Sequence, residues 1–286
     1  SEHHSNFVPW QQWCRRLGKK LIVLPTNEKG SVDLSLLEEK ITERTALVAM
    51  AQVTNVFGIL QPVEEAARIA HAKGALCLVD GAQAAGHMPV DFEKLGCDFY
   101  AVSGHKLYGP NGIGVLLGKK AVLDQMEPWQ YGGEMIDQVS AAESSFQEAP
   151  YRFEAGTPDY VGAVGLGIVM DYLKTIRMDE IRRSEEQIFG AMVERLRKTE
   201  RIKFPVDPKN SHGILSFNIE GVHPFDAAVL FDAQGVAVRS GMHCAQPLMK
   251  HYGLPEGTVR ASVGMYTTME DVERFEKACK RILECV

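Results

Sequence analysis

The chain contains 286 residues, more than one compact core of ordinary size holds, so one large or two moderate domains are expected. Hydrophobic residues make up 45% and charged residues 24%, an ordinary balance for a globular protein. The net charge of −6 gives no electrostatic reason to expect nucleic acid or an anionic membrane as a partner. No apolar run approaches the roughly 18 residues of a membrane span and no signal peptide precedes the first predicted strand, so we expect a cytoplasmic protein.

Six cysteines are spread along the chain without a C-x-x-C pair. This spacing argues against a zinc ribbon and against a disulfide framework, so no metal site is predicted. Cys77 and Cys97 lie in apolar runs, which favours buried and unreactive thiols.

The first half of the chain alternates short apolar runs with amphipathic helical patterns. Apolar residues on both faces of such strands indicate a mostly parallel sheet covered by helices. Strands are predicted at 21–24, 45–51, 75–79, 99–102 and 114–117, and helices at 33–41 and 62–74.

The pattern changes after about residue 172, where a long charged amphipathic helix follows. The remaining elements predict a smaller α+β domain, so we divide the chain into a large domain at 1–172 and a small one at 173–286. Its predicted helices span 178–199, 225–234 and from about 270 onward, and its strands span 213–219 and 236–239.

Polar residues follow two neighbouring strands of the large domain. Asp80 ends one strand, and Lys106 follows the next. Ligands bind outside the carboxyl ends of strands in open parallel sheets, so both side chains are expected at the same edge. A lysine that forms a Schiff base and an acid that keeps a pyridine nitrogen protonated are what pyridoxal 5′-phosphate requires. A helix cap for Asp80 and a surface lysine in a glycine-rich loop are the alternatives.

Cys244 lies in a short polar loop between His243 and Pro247. Nearby positive charge favours a reactive thiolate, and His243 and Arg239 are candidates to supply it. The alternative is an inert structural cysteine, but the flanking residues are polar and turn-forming, not apolar.

Taken together, these segments resemble the class V aminotransferase superfamily, and specifically the SufS-type (group II) cysteine desulfurases. Seven stretches match in the family's order across the chain. They are EHHSN with VPWQ (2–11), VTNVFG (53–58), VDGAQA (79–84), SGHKLYGP (103–110), RFEAGTP (152–158), RSGMHCAQP (239–247) and RAS (260–262). The resemblance implies a type I pyridoxal-phosphate fold, like that of aspartate aminotransferase, with a mostly parallel sheet in the large domain and a smaller C-terminal α+β domain.

The resemblance also implies roles around the cofactor. Lys106 would hold pyridoxal 5′-phosphate covalently and later act as the base at the substrate Cα. Asp80 would pair with the pyridinium nitrogen, and His3 would stack on the ring and assist proton transfer. The other implied cofactor contacts are Gln83 to the phenolic oxygen, Ser103 and His105 to the phosphate, and Thr157 to the phosphate of a partner subunit, which implies a homodimer.

On the substrate side, the resemblance implies that L-cysteine is converted to L-alanine. Asn55, Arg239 and Arg260 would orient it, with Arg260 the best candidate for a bidentate grip on its carboxylate. Cys244 would attack the substrate sulfur and keep it as a persulfide. A SufE- or SufU-like acceptor protein would then collect the sulfur for iron–sulfur cluster assembly.

Two features depart from the family pattern. Met242 stands where many relatives have a second histidine beside the cysteine, which would alter thiolate stabilisation. The chain also begins at Ser1, without the family's N-terminal segment and its phosphate-binding helix N-terminus. We therefore expect a truncated chain, a proteolysed product or a partial gene that binds the cofactor weakly or turns over poorly.

Other functions remain open at this point. A selenocysteine lyase or a kynureninase-like hydrolase would use the same scaffold, although such a hydrolase needs no cysteine loop. A non-catalytic scaffold would have no use for Lys106, Asp80, His3 and Cys244 together. A nicotinamide dehydrogenase is disfavoured, because the glycines at 162–167 do not have G-x-G-x-x-G spacing.

Overall fold

The first sheet of the protein brings the predicted strand ends together. A computed structural model describes residues 1–285. Four strands lie in the order β1-β2-β3-β4, with β1 to β3 parallel and β4 antiparallel to β3. They are β1 (Leu47–Ala51), β2 (Leu76–Asp80), β3 (Phe99–Ser103) and β4 (Gly114–Gly118). Since Ala51 pairs with Asp80 and Asp80 with Ala101, the carboxyl ends of β1, β2 and β3 form one edge, and the expected mostly parallel sheet is confirmed.

Helices pack on this sheet as the apolar spacing predicts. Asp33 caps α2 (Leu34–Lys40), because its carboxylate accepts from Ser35 N and Leu36 N. In α3 (Val63–Ala72) the predicted apolar face is buried against β1 and β2. The other helices of this half are α1 (Val8–Arg16), α4 (Phe92–Leu95), α5 (Lys120–Leu123) and α6 (Tyr160–Ile176), and a hairpin joins β5 (Ile136–Val139) to β6 (Ser144–Phe146).

The second sheet is antiparallel and has its own core. Its order is β7-β8-β10-β9, formed by β7 (Ile202–Lys203), β8 (Ile214–Ile219), β9 (Arg239–Gly241) and β10 (Thr258–Ser262). Phe217, Phe231 and Phe275 meet in its centre with ring centroids 5.3–6.0 Å apart. The helices around it are α7 (Met178–Arg197), α8 (Pro224–Ala233), α9 (Gln246–His251) and α10 (Met269–Cys285). The predicted boundary after residue 172 falls inside α6 and stays a prediction.

Two predicted strands differ from the structure. Residues 21–24 form no strand. Ile22 and Val23 are exposed, and of these four residues only Leu24 packs on the core between the first sheet and α3. The strand predicted at 236–239 begins only at Arg239, since Val236 N still bonds to Phe231 O at the end of α8. In both cases apolar β-branched residues indicated a strand where the backbone has no strand partner. No helix among residues 1–285 is both long and apolar enough to cross a membrane.

Candidate active site

Asp80 and Lys106 lie at the same edge of the first sheet. Asp80 is the last residue of β2, and Ala82 N donates a hydrogen bond to its Oδ1 at 2.9 Å. Lys106 lies in the 3-10 turn Gly104–Leu107 that follows β3. Burial lowers the pKa of the Lys106 amine, and Arg260 and Arg239 lower it further, against the opposing charge of Asp80. An amine of lowered basicity is suited to bond formation with a carbonyl carbon.

His3 faces the same group of charges. Its ring Nδ1 accepts from Ser5 N at 3.1 Å and so caps the short turn His4–Asn6. Burial lowers the pKa of His3, and the charge of Lys106 lowers it further. The imidazole is therefore mostly neutral near pH 7 and is able to accept or donate one proton.

Hydrogen bonds join the first residues of the chain to both sides of the site. His4 N donates to Cys244 O at 2.9 Å, and Glu2 Oε1 accepts from Ala51 N at 3.2 Å. No sequence pattern indicates a role for Glu2. These contacts hold His3 between the end of β1 and the cysteine loop.

The cysteine loop follows β9 in a left-handed conformation, with φ of 50° at His243 and 57° at Cys244. Arg239 Nη2 lies 3.9 Å from Cys244 Sγ, so the predicted positive charge beside the thiol is present. The same prediction for His243 is wrong. Its side chain is buried, its Nε2 lies 3.0 Å from both the carbonyl oxygen and Oγ1 of Thr258, and burial lowers its pKa to about 4. A neutral ring turned toward β10 cannot stabilise a thiolate by charge.

Asn55 and Arg260 join the two sheets behind the cysteine loop. Asn55 Nδ2 donates to His243 O at 2.6 Å, and Arg260 Nη1 donates to Asn55 O at 2.7 Å. Burial, together with the charge of Arg239, lowers the pKa of Arg260 to about 10. Within residues 1–285, Asn55 Oδ1 and Arg260 Nε are buried without a hydrogen-bond partner. An orphaned guanidinium Nε beside a second guanidinium group is typical of a site for an anionic group, and the orphaned amide oxygen is left to accept from a donor on the same ligand.

The remaining predicted residues lie at or just after the ends of β2, β3 and β9, or precede α6. Ser103 Oγ and His105 Nδ1 are 3.2 Å apart at the end of β3. Gln83 is half-buried in the turn after Asp80, and Met242 packs with its side chain against Val56, Phe57 and their neighbours. Thr157 lies exposed in the loop before α6. Thr258, the partner of His243, was missed because the pair is fifteen residues apart and neither local pattern indicates it.

These residues fit pyridoxal 5′-phosphate. The structure provides an amine of lowered pKa, a fixed carboxylate that interacts with it, and hydroxyl and imidazole groups at the strand end. Among residues 1–285 no cluster of His, Cys, Asp or Glu is arranged to hold a metal ion.

Comparison with known proteins agrees with this assignment. The chain matches the aminotransferase class-V family over residues 1–275. It is 47% identical to a probable cysteine desulfurase of Halalkalibacterium halodurans, over 99% of this chain and 69% of that protein. It is 43% identical to a cysteine desulfurase of Pectobacterium carotovorum, over 98% and 69% respectively. The crystal structure of the Escherichia coli cysteine desulfurase CsdA superposes on this chain with a TM-score of 0.96 at 39% sequence identity. The superposition includes 100% of this chain and 71% of the CsdA chain.

The chain therefore belongs to the class-V aminotransferase family, which uses pyridoxal 5′-phosphate. The predicted fold class, enzyme class and cofactor are confirmed. Within that family, the relatives described above are cysteine desulfurases, and the chain spans about 69% of their length.

Proposed function

We propose that the chain is a cysteine desulfurase that converts L-cysteine to L-alanine and retains the sulfur as a persulfide on Cys244. The observation that carries this proposal is the placement of Cys244. Its sulfur lies 3.9 Å from Arg239, and the charges of Cys244 and Arg239 both act on Lys106. A thiol whose charge reaches the amine that carries the cofactor suits sulfur transfer, and an ordinary hydrolase has no use for it.

Different residues of the site have different roles in the reaction. The bound cofactor supplies an electron sink for negative charge at the substrate Cα. The unpaired Nε of Arg260 donates to the substrate carboxylate, and the unpaired Oδ1 of Asn55 accepts from a donor on the substrate. Lys106, Asp80 and Gln83 would hold the cofactor, with Ser103 and His105 at its phosphate. The Lys106 amine removes the Cα proton, and His3, as a mostly neutral imidazole, assists proton transfer.

Sulfur transfer needs one nucleophile. The Cys244 thiolate attacks the substrate sulfur, and a new S–S bond forms as the substrate C–S bond breaks. The electron pair of the broken bond stays on the substrate Cβ, which takes up a proton and becomes the methyl group of alanine. Arg239 stabilises the thiolate before attack.

The finer parts of the proposal concern partners. A SufE- or SufU-like acceptor would remove the sulfur from the half-buried Cys244 and pass it to iron–sulfur cluster assembly. A homodimer would place Thr157 near the cofactor phosphate of the partner subunit. All six cysteines are unpaired, which supports a reducing compartment such as the cytoplasm.

Borohydride trapping tests the cofactor site. We expect one reduced cofactor adduct, on the peptide that contains Lys106, and its loss in Lys106→Ala. An adduct on another lysine would show that the site has been misassigned.

Substitution of the thiol tests the reaction. Cys244→Ser should abolish alanine and sulfide release from L-cysteine, while Cys14→Ser, a matched change on α1, should retain both. Selenocysteine cleavage that survives Cys244→Ser would indicate a dual enzyme. Undiminished cysteine turnover in Cys244→Ser would contradict the proposed role of the thiol.

A further inference from the structure

A buried carboxylate that the proposed reaction does not use lies on α7. Glu185 is only 4% exposed, although the face of α7 around it otherwise packs with apolar side chains such as Ile181 and Ile188. Burial of a carboxylate costs free energy unless hydrogen-bond partners replace the lost water, so Glu185 needs polar partners in the interior.

Glu185 binds two polar side chains from the other half of the molecule. Its Oε2 lies 2.9 Å from His87 Nδ1. The Tyr108 hydroxyl donates to Oε1 at 3.3 Å and accepts from Met265 N at 3.0 Å. One carboxylate thus joins α7 to three separate chain segments.

Each of these segments carries a residue of the site. His87 ends the turn that starts at Asp80 and includes Gln83. Tyr108 comes two residues after Lys106 and has a φ of 61°, which a tyrosine adopts only when its surroundings hold it there. Met265 follows β10, the strand of Arg260.

The Asp80 turn and the Lys106 turn also touch directly. A Cβ built on Gly86 would lie 2.4 Å from the Lys106 carbonyl oxygen, so the two backbones are in close contact beside His87. A shift of one turn is therefore transmitted to the other. The Glu185 contacts to His87 and Tyr108 bridge these two turns on the side of α7.

Tyr108 has the protonation state that its hydrogen bond to Glu185 requires. Burial, together with the charge of Glu185, raises the pKa of Tyr108 to about 12. Tyr108 is therefore a neutral phenol at neutral pH and donates one hydrogen bond to Glu185.

We infer that Glu185 is a positioning residue that, through His87 and Tyr108, fixes the spacing between the Lys106 amine, Asp80 and Arg260. This role rests on the proposed function, because that spacing matters only if the three groups hold one cofactor–substrate pair. Misplacement of about 1 Å is enough to cost a large factor in rate or affinity.

The test compares three substitutions on α7 in the cofactor-loaded protein. Glu185→Ala removes both acceptors, whereas Glu185→Gln still accepts from Tyr108 and donates to His87 in its other tautomer. Ile188→Ala is the structural control, since it makes a cavity in the second core without touching the bridge.

We expect the cofactor dissociation constant of Glu185→Ala to rise about tenfold, and the pH midpoint of the lysine-bound chromophore to move by about half a unit or more. Glu185→Gln should restore both values. Ile188→Ala should lower the melting temperature while leaving the chromophore midpoint unchanged. The charged groups that act on Lys106 in this titration are Asp80, Arg260, Arg239 and Cys244, and none is altered.

Hydrogen exchange of the cofactor-free protein separates this inference from the proposed function. Glu185→Ala should speed exchange at 81–88 and at the Met265 amide, and Ile188→Ala should not. The wild type could fail to bind the cofactor while hydrogen exchange in Glu185→Ala still rises as expected. That result would contradict the proposed function and support the contacts of Glu185 with His87 and Tyr108. Wild-type exchange in Glu185→Ala, or a chromophore midpoint that Ile188→Ala shifts equally, would overturn the positioning role.

Discussion

Cys244 differs from the other cysteines in its surroundings. Burial raises the pKa of Cys77 and Cys279 to about 12 and that of Cys97 to about 11, so these thiols remain protonated at neutral pH. The prediction that Cys77 and Cys97 are buried is confirmed. Cys244 is instead half-buried with a guanidinium 3.9 Å from its sulfur, which is the environment of a reactive thiol.

Arg239 is therefore expected to control the reactivity of Cys244. Arg239→Gln removes the adjacent charge, and we expect alkylation of Cys244 by iodoacetamide at pH 7 to slow by about tenfold. The measurement is the rate of labelling of the Cys244 peptide by mass spectrometry. Arg239→Lys should retain more of the rate than the glutamine variant, and equal rates in all three proteins would contradict the role of the charge.

His243 links stability to pH. Its folded pKa, about 4, lies below the ordinary 6.5, so between these values the unfolded chain binds the proton and the folded chain does not. The stabilisation is complete above about pH 6.5 and is lost as pH falls toward 4, by up to roughly 3 kcal/mol.

The corresponding test uses urea unfolding at several values between pH 7.5 and 4.5. We expect the free energy of unfolding of the wild type to fall with pH more steeply than that of His243→Gln. Parallel curves for the wild type and His243→Gln would mean that the histidine is not buried as a neutral ring.

At the scale of elements, the sequence predicts the site where chemistry follows regular strands. Asp80 and Lys106 come together because parallel strands place their carboxyl ends at one edge, a rule that requires only the strand assignments. The pairs Asn55 with His243 and His243 with Thr258 depend on how the second sheet packs against the first, and no local pattern indicates them. The same limit explains residues 21–24, whose apolar run predicts a strand although tertiary packing leaves Ile22 and Val23 exposed.

The contact between the two site turns depends on one glycine. Gly86→Ala would place a methyl group 2.4 Å from the Lys106 carbonyl oxygen, and backbone cannot yield as a flexible side chain can. We expect at least a tenfold loss of cofactor affinity, measured by fluorescence titration. Gly190→Ala on α7 is the control, because nothing lies within 4 Å of its added Cβ and alanine favours a helix. Wild-type affinity in Gly86→Ala would show that the turns tolerate separation.

At the scale of the whole molecule, α6 exposes an apolar face. One side of the helix is buried through Leu166 and Leu173. The opposite side exposes more than half of each of Tyr160, Val161, Val164, Ile168 and Tyr172. A continuous apolar face of this kind is typical of an interface, and Thr157 lies just before it.

The proposed homodimer is expected to use this face. Val164→Glu with Ile168→Glu adds two negative charges to it, and we expect sedimentation velocity to show a shift from twice the 31.7 kDa chain mass to the mass of one chain. Lys174→Glu makes the same change in net charge at an exposed polar position of α6 and should leave the assembly intact. Because the charges oppose burial and not folding, the double variant should keep the wild-type far-ultraviolet circular dichroism spectrum. A dimer that survives both glutamates would place the subunit interface elsewhere on the molecule.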